Sequence, residues 1–226
     1  LNQKTWNEWE NIYQKYSDDL FDKLITENAE LVNFHVLTQY EFFNQWESLK
    51  KYANDKNVKI LGDIPIYVNH DSADVWLNKK MFELDETGNM ELVSGAVPDS
   101  FNIEGQIWGN ALYRWDLHKE DNFKYWKEKL NKSLNLYDYL RIDHFIGFFK
   151  YWSIPKGESA LNGYWREGPR FDFFEEISKN VDLTKLLAED LGVMLKETKQ
   201  GLEKYNIPGM KVLQQRIHDS EEDLPY

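Results

Sequence analysis

Apolar side chains recur at helical spacing along the first part of the chain. Trp6, Trp9, Ile12, Tyr13 and Tyr16 fall at three- and four-residue steps, which predicts an amphipathic helix. Leu31, Phe34, Leu37, Phe42, Trp46, Leu49 and Tyr52 continue that period, and Asn54-Asp55-Lys56-Asn57 is a turn cluster. The pattern then changes. Residues 58–64 read as a short buried strand ending at Asp63, with Pro65 barring a helix. Phe123, Trp126, Leu130 and Leu134 restore helical spacing ahead of a second strand, 137–143. Residues 157–170 read as loop, and Phe171, Phe174 and Ile177 suggest a helix. A third strand at 186–189, a helix near 194–205 and a fourth strand at 210–214 complete the series.

Residues 66–116 interrupt this alternation. Turn signals at 69–72, 86–88, 94–95 and 97–99 leave only short apolar runs between them. The span far exceeds the ~2–6 residues of an ordinary βα loop, so it reads as an insertion over the strand ends. Strands alternating with helices imply parallel βαβ units and an α/β fold. An eight-stranded barrel takes about 250 residues, and the four strands read here do not close one.

The chemistry gathers at the strand ends. Arg141 and Asp143 lie two apart, so on a strand they face the same side, where they must satisfy each other or meet a wet cavity. In parallel α/β proteins that cavity lies at the carboxyl ends of the strands. Asp63, Asp143 and Glu189 would share that rim. Two carboxylates across a cleft can divide nucleophilic and acid/base work when their environments separate their pKa values. Glycosidic cleavage with retention uses such a pair about 5–5.5 Å apart. Arg141 would favour an anionic Asp143, and the Leu-Leu-Ala run before Glu189 would favour a protonated acid.

Other readings stand beside these. Arg141 with Asp143 also suits a structural ion pair, and Asp63 a turn or cap. His144 fits substrate orientation or a buried, hydrogen-bonded ring. Trp108, Trp152 and Trp165 read first as packing residues. His70, Asp71 and Asp74 match no zinc or calcium spacing, and Gly105, Gly109 and Gly163 match no phosphate loop. These residues alone point to a carboxylate hydrolase or transferase.

Composition narrows the partners. A net charge of −12 argues against a nucleic-acid backbone. No apolar run approaches the ~20 residues of a membrane span, and no secretory leader pattern opens the chain. The absence of Cys removes disulfides and thiolate metal sites and fits a cytoplasmic setting. The 9 Trp residues suit stacking on sugars as well as core packing.

Six blocks carry a resemblance: Ile60-Leu-Gly-Asp-Ile-Pro-Ile-Tyr-Val68, Asp71-Ser-Ala-Asp-Val-Trp76, Gly105-Gln-Ile-Trp-Gly-Asn110, Leu140-Arg-Ile-Asp-His-Phe145, Ala188-Glu-Asp-Leu-Gly192 and Pro208-Gly-Met-Lys-Val-Leu-Gln214. In order and spacing, from about Phe42 to Gln214, they resemble the amylomaltase family of 4-α-glucanotransferases, plant disproportionating enzymes included. The resemblance implies a (β/α)8 TIM barrel of the α-amylase type, with an inserted subdomain after the third strand. It implies retaining transfer between maltooligosaccharides or other α-1,4-glucans, without a metal or organic cofactor.

Matched position by position, Asp143 resembles the nucleophile, Glu189 the general acid/base and Arg141 the arginine supporting the nucleophile. Asp63, His144, Trp108 and Asn110 fall at substrate-contacting positions, and Asp99, Ser100 and Phe101 on a mobile loop over the site. Ser100 stands where relatives often carry Tyr, and Ala111 where Pro is common. The family's further His-Asp motif, whose Asp stabilises the transition state, has no match. His218-Asp219 follows Gln214 too soon and reads as a solvated tail. The chain thus resembles a central fragment, strands three to six, inactive by itself. A hydrolase of the same architecture and a non-catalytic glucan-binding domain are the alternatives.

Overall fold

The computed structural model describes residues 4–99, 102–191 and 195–212. The expected first helix is broken. Trp6–Glu8 form a single 3₁₀ turn and α1 covers only Asn11–Gln14. Trp6 is held by tertiary bonds instead, its Nε1 donating to the His70 carbonyl at 2.7 Å and its backbone N–H to Asp71 Oδ1 at 3.2 Å. Helix α2, Asp18–Glu27, starts where the Ser17 hydroxyl accepts the Leu20 N–H, a side-chain cap for an otherwise orphan donor. Helix α3, Ala29–Asp55, runs 27 residues as its apolar spacing predicts. Much of its apolar face, including Phe34, Leu37 and Phe42, is exposed. Trp46 ties it to the rest of the molecule by donating to the Leu136 carbonyl at 2.9 Å.

The remaining elements in order are β1 (Leu61–Pro65), α4 (Ala73–Leu77), β2 (Leu92–Ala96), β3 (Gln106–Ile107), α5 (Trp115–Glu120), α6 (Lys124–Leu136), β4 (Tyr139–Asp143), β5 (Lys150–Pro155), β6 (Tyr164–Glu167), α7 (Arg170–Ile177), β7 (Leu186–Ala188) and α8 (Lys196–Tyr205). They build two sheets. Strands β1, β4 and β7 form a parallel sheet with β4 central. Register places Asp63 beside Arg141 and Ile142 beside Ala188. Leu140 and Ile142 are fully buried, and Arg141 and Asp143 alternate with them onto the other side, as period-two geometry requires. Gly62 admits the Tyr137 ring against the strand: a Cβ there would sit 2.1 Å from Tyr137 Cδ2.

The second sheet is antiparallel, in the order β3-β2-β5-β6. It joins β2 and β3, from within residues 66–116, to β5 and β6, which follow β4. Residues 157–170 are therefore not simply loop, since β6 lies among them. The fourth strand expected at 210–214 is also absent as far as the structure describes it. Met210, Lys211 and Val212 are outside any strand, although the Ala188 N–H donates to the neighbouring Pro208 carbonyl at 2.9 Å. Leu213 and Gln214 lie outside the described residues.

Between α6, α7 and the parallel sheet sits an aromatic core. Phe148 stacks on Phe173 at 4.3 Å, and Trp126 meets Phe148 edge-on at 5.1 Å. Stacked and edge-to-face pairs of this kind add attraction beyond their buried area. Among the described residues no helix is long and apolar enough to cross a membrane.

Candidate active site

The cleft lies where β4 and β7 end. It has a volume of about 290 Å³, and Arg141, Asp143, His144 and Glu189 line it together with Asp99 and Trp108. Arg141 spans two carboxylates: its Nη2 meets Asp143 Oδ1 at 2.6 Å, and its Nη1 meets Asp63 Oδ2. Its Nε lies 3.1 Å from the Met210 sulfur. A planar guanidinium holds the two partners on separate nitrogens in a fixed fork, a geometry that the single ammonium of a lysine does not reproduce. Asp63 is thus joined to the site through Arg141.

Glu189 is fixed by backbone. Its Oε1 accepts the Leu191 N–H at 2.9 Å and its Oε2 the His144 N–H at 3.0 Å. Its own N–H donates to the Ile142 carbonyl at 3.0 Å, continuing the β4–β7 pairing by one residue. Burial raises the Glu189 pKa and the Asp143 charge adds to the rise, against the two N–H donors and Arg141. The shift favours a protonated carboxyl.

His144 turns the chain sharply after β4, with φ of 53°. Its ring stands edge-on to Trp108 at 4.6 Å. Burial lowers its pKa to about 4, so the ring is neutral at pH 7. No described residue hydrogen-bonds its buried Nε2. Trp108 lines the cleft while packing against the core, and its Nε1 donates to Gln106 Oε1 at 3.0 Å.

Other expected residues are placed differently. Asn110 is bound through its backbone to β2, donating to Ser94 Oγ at 3.2 Å, and is not among the cleft-lining residues. Ser100 and Phe101 lie outside the described residues. His70, Asp71 and Asp74 are separately engaged: His70 Nε2 with the Gly88 carbonyl, Asp71 with the Trp6 N–H, and Asp74 with the Tyr125 hydroxyl. Among the described residues no three His, Cys, Asp or Glu side chains are placed to hold a metal ion.

Two contributors were missed in the sequence. Asp190 Oδ1 accepts the Met210 N–H at 2.7 Å, which sets the methionine sulfur beside Arg141. Gly209 allows this approach, because a Cβ there would lie 2.1 Å from Asp190 Oδ2. The signal was the presence of both residues in the quoted blocks. Trp152 and Trp165, which read first as packing and second as sugar platforms, both line the cleft.

Comparison with known proteins gives the chain its relatives. A family profile described as 4-alpha-glucanotransferase matches residues 1–226. The 4-alpha-glucanotransferase of Clostridium butyricum is 44% identical over 212 residues, covering 93% of this chain and 44% of that protein. That of Thermus thermophilus is 41% identical over 224 residues, covering 98% of this chain and 45% of the relative. The solved amylomaltase from Streptococcus agalactiae, in complex with acarbose, superposes with a TM-score of 0.89 at 36% identity, covering 98% of this chain and 45% of that one. The chain spans about half the length of the curated relatives it matches.

Proposed function

The chain belongs to the 4-alpha-glucanotransferase family, and on that premise we propose that its cleft carries retaining transfer between α-1,4-glucans in the protein of which it forms part. Asp143 attacks the anomeric carbon while Glu189 gives its proton to the leaving glycosidic oxygen, so that a glycosyl ester forms on Asp143. Glu189 then takes the proton from the 4-hydroxyl of an acceptor glucan. That oxygen attacks the same carbon and frees Asp143. Arg141 holds Asp143 anionic and aligned, and Asp63, Asp99, Trp108 and His144 contact the sugar. We also assign to the substrate contacts Asn110, through its loop, and Ser100 and Phe101.

The observation that carries this reading is that Asp143 and Glu189 line one cleft in different electrostatic settings. Asp143 is paired to a guanidinium, whereas Glu189 is partly buried with a raised pKa. Such separation is what an acid and a nucleophile need. In this reading β1, β4 and β7 are strands of a (β/α)8 barrel and residues 66–116 are an inserted subdomain over the site. The reading places the protein in the cytoplasm. The chain by itself, half the length of its relatives, is inactive.

The test is disproportionation of maltotriose by the full-length protein. Glucose together with longer maltooligosaccharides is expected, and Asp143→Asn should lower the rate on the order of 10⁴-fold or more. Glucose and maltose without longer products would show a hydrolase. Undiminished transfer by the Asn variant would remove Asp143 from the nucleophile role.

A further inference from the structure

Trp152 and Trp165 are directly paired across β5 and β6, with ring centroids 5.3 Å apart at 75°. Both line the cleft that Asp143 and Glu189 occupy. Their circumstances differ. The Trp152 indole N–H donates to the Ala160 carbonyl at 2.9 Å. Gly163 crosses its ring so closely that a Cβ would lie 2.2 Å from Nε1. Trp152 also packs against the small buried cluster of Val93, Ile154 and Ala160. It is clamped as a structural residue.

Trp165 is 37% exposed and sits on the outer strand of the second sheet. Its contact with a clamped neighbour orients the indole while leaving much of it open to the cleft. A rigid, partly exposed aromatic loses little conformational freedom when a ligand covers it. Glucose rings present an apolar C–H face that suits such a surface.

We infer that Trp165 is a stacking platform for a glucose unit of the bound α-1,4-glucan, on the β6 side of the cleft, so that a chain long enough to reach β6 covers it. This assignment rests on the proposed reading of the cleft as a glucan site. It predicts that the wall built by the second sheet grips long chains more than short ones.

The experiment is calorimetric titration of maltoheptaose and maltose into full-length protein carrying Asp143→Asn, which removes turnover. Adding Trp165→Ala should weaken maltoheptaose binding roughly three- to tenfold and maltose binding less than about twofold. Trp165→Phe should recover most of the loss, which separates lost stacking from a disturbed sheet. Unchanged maltoheptaose affinity, or an equal loss for both sugars, would overturn the platform. Failure of the glucan reading itself shows differently: no maltoheptaose binding with Trp165 intact, which removes both assignments, or full transfer activity in the Asp143→Asn protein.

Discussion

The carboxylate of Glu189 accepts a hydrogen bond from the backbone N–H of His144 at 3.0 Å, so the acid that follows β7 is anchored to the residue after Asp143 on β4. Two further backbone bonds, Phe145 N–H to the Glu189 carbonyl at 3.1 Å and Glu189 N–H to the Ile142 carbonyl at 3.0 Å, lock the same two strand ends. The Glu189 carboxyl is thereby placed by main chain, whereas that of Asp143 is placed by the Arg141 side chain.

Glu189 should govern the alkaline limb of the pH–rate profile. It must carry a proton to act as acid, and burial raises its pKa. The protonated form therefore persists to higher pH than for an exposed glutamate, and kcat/KM should fall above that range. Glu189→Gln should cut the rate by about 10²–10⁴-fold and abolish the limb. A pH series on the full-length protein checks this, and an unaltered limb in the variant's residual activity would count against it.

Arg141→Lys should cost activity far more than stability. A lysine offers one compact nitrogen where the guanidinium reaches Asp63 and Asp143 with two. The two Asp side chains are 55% and 48% exposed, so the pairing contributes at most about 1 kcal/mol to folding. Misplacement of the nucleophile should lower kcat/KM on the order of 10²-fold. Parallel kinetics and thermal unfolding would separate the two. A variant that melts early yet reacts normally would assign Arg141 to the fold alone.

Gly163→Ala should destabilise the second sheet. The new methyl would meet the Trp152 indole and push it from the Ala160 carbonyl. A cost of about 1–3 kcal/mol is expected, as for other overpacked positions, read by urea unfolding with tryptophan fluorescence. Wild-type stability would show that the chain crosses Trp152 less closely.

Acid should weaken the fold through two buried histidines. Burial lowers the pKa of both His118 and His144 to about 4, below the 6.5 of a free imidazole side chain. Between those values the unfolded chain binds protons that the folded chain refuses, so stability is complete above about pH 6.5 and declines as pH falls toward 4. The loss is on the order of 2 kcal/mol or more per histidine. Denaturant unfolding at pH 7 and pH 4.5 measures it. Ring signals titrating near pH 6.5 in the folded protein would contradict it.

Much of the frame was legible because it rests on local periodicity. The spacing of Phe123, Trp126 and Leu130 marked α6, and the apolar run before Asp143 marked β4. Charge at strand ends pointed to Asp63, Arg141, Asp143 and Glu189, which parallel register then brought together. What misled was spacing without tertiary support. Trp6, Trp9 and Tyr13 keep a helical period, yet side-chain and backbone bonds from Trp6 to residues 70 and 71 take the place of a continuous helix.

Local spacing in the sequence was enough for β1, β4, β7 and the helices α6 and α7 between them, for the carboxylates at those strand ends and for the blocks that identify the family. Each is written in neighbouring residues. Only the tertiary structure decided that β2 pairs with β5, bringing Ser94 beside Ser153, and that Asp190 holds Met210 against Arg141. It alone separated a clamped Trp152 from an open Trp165. Burial and strand pairing depend on partners far along the chain, and two identical side chains acquire different roles from what covers them.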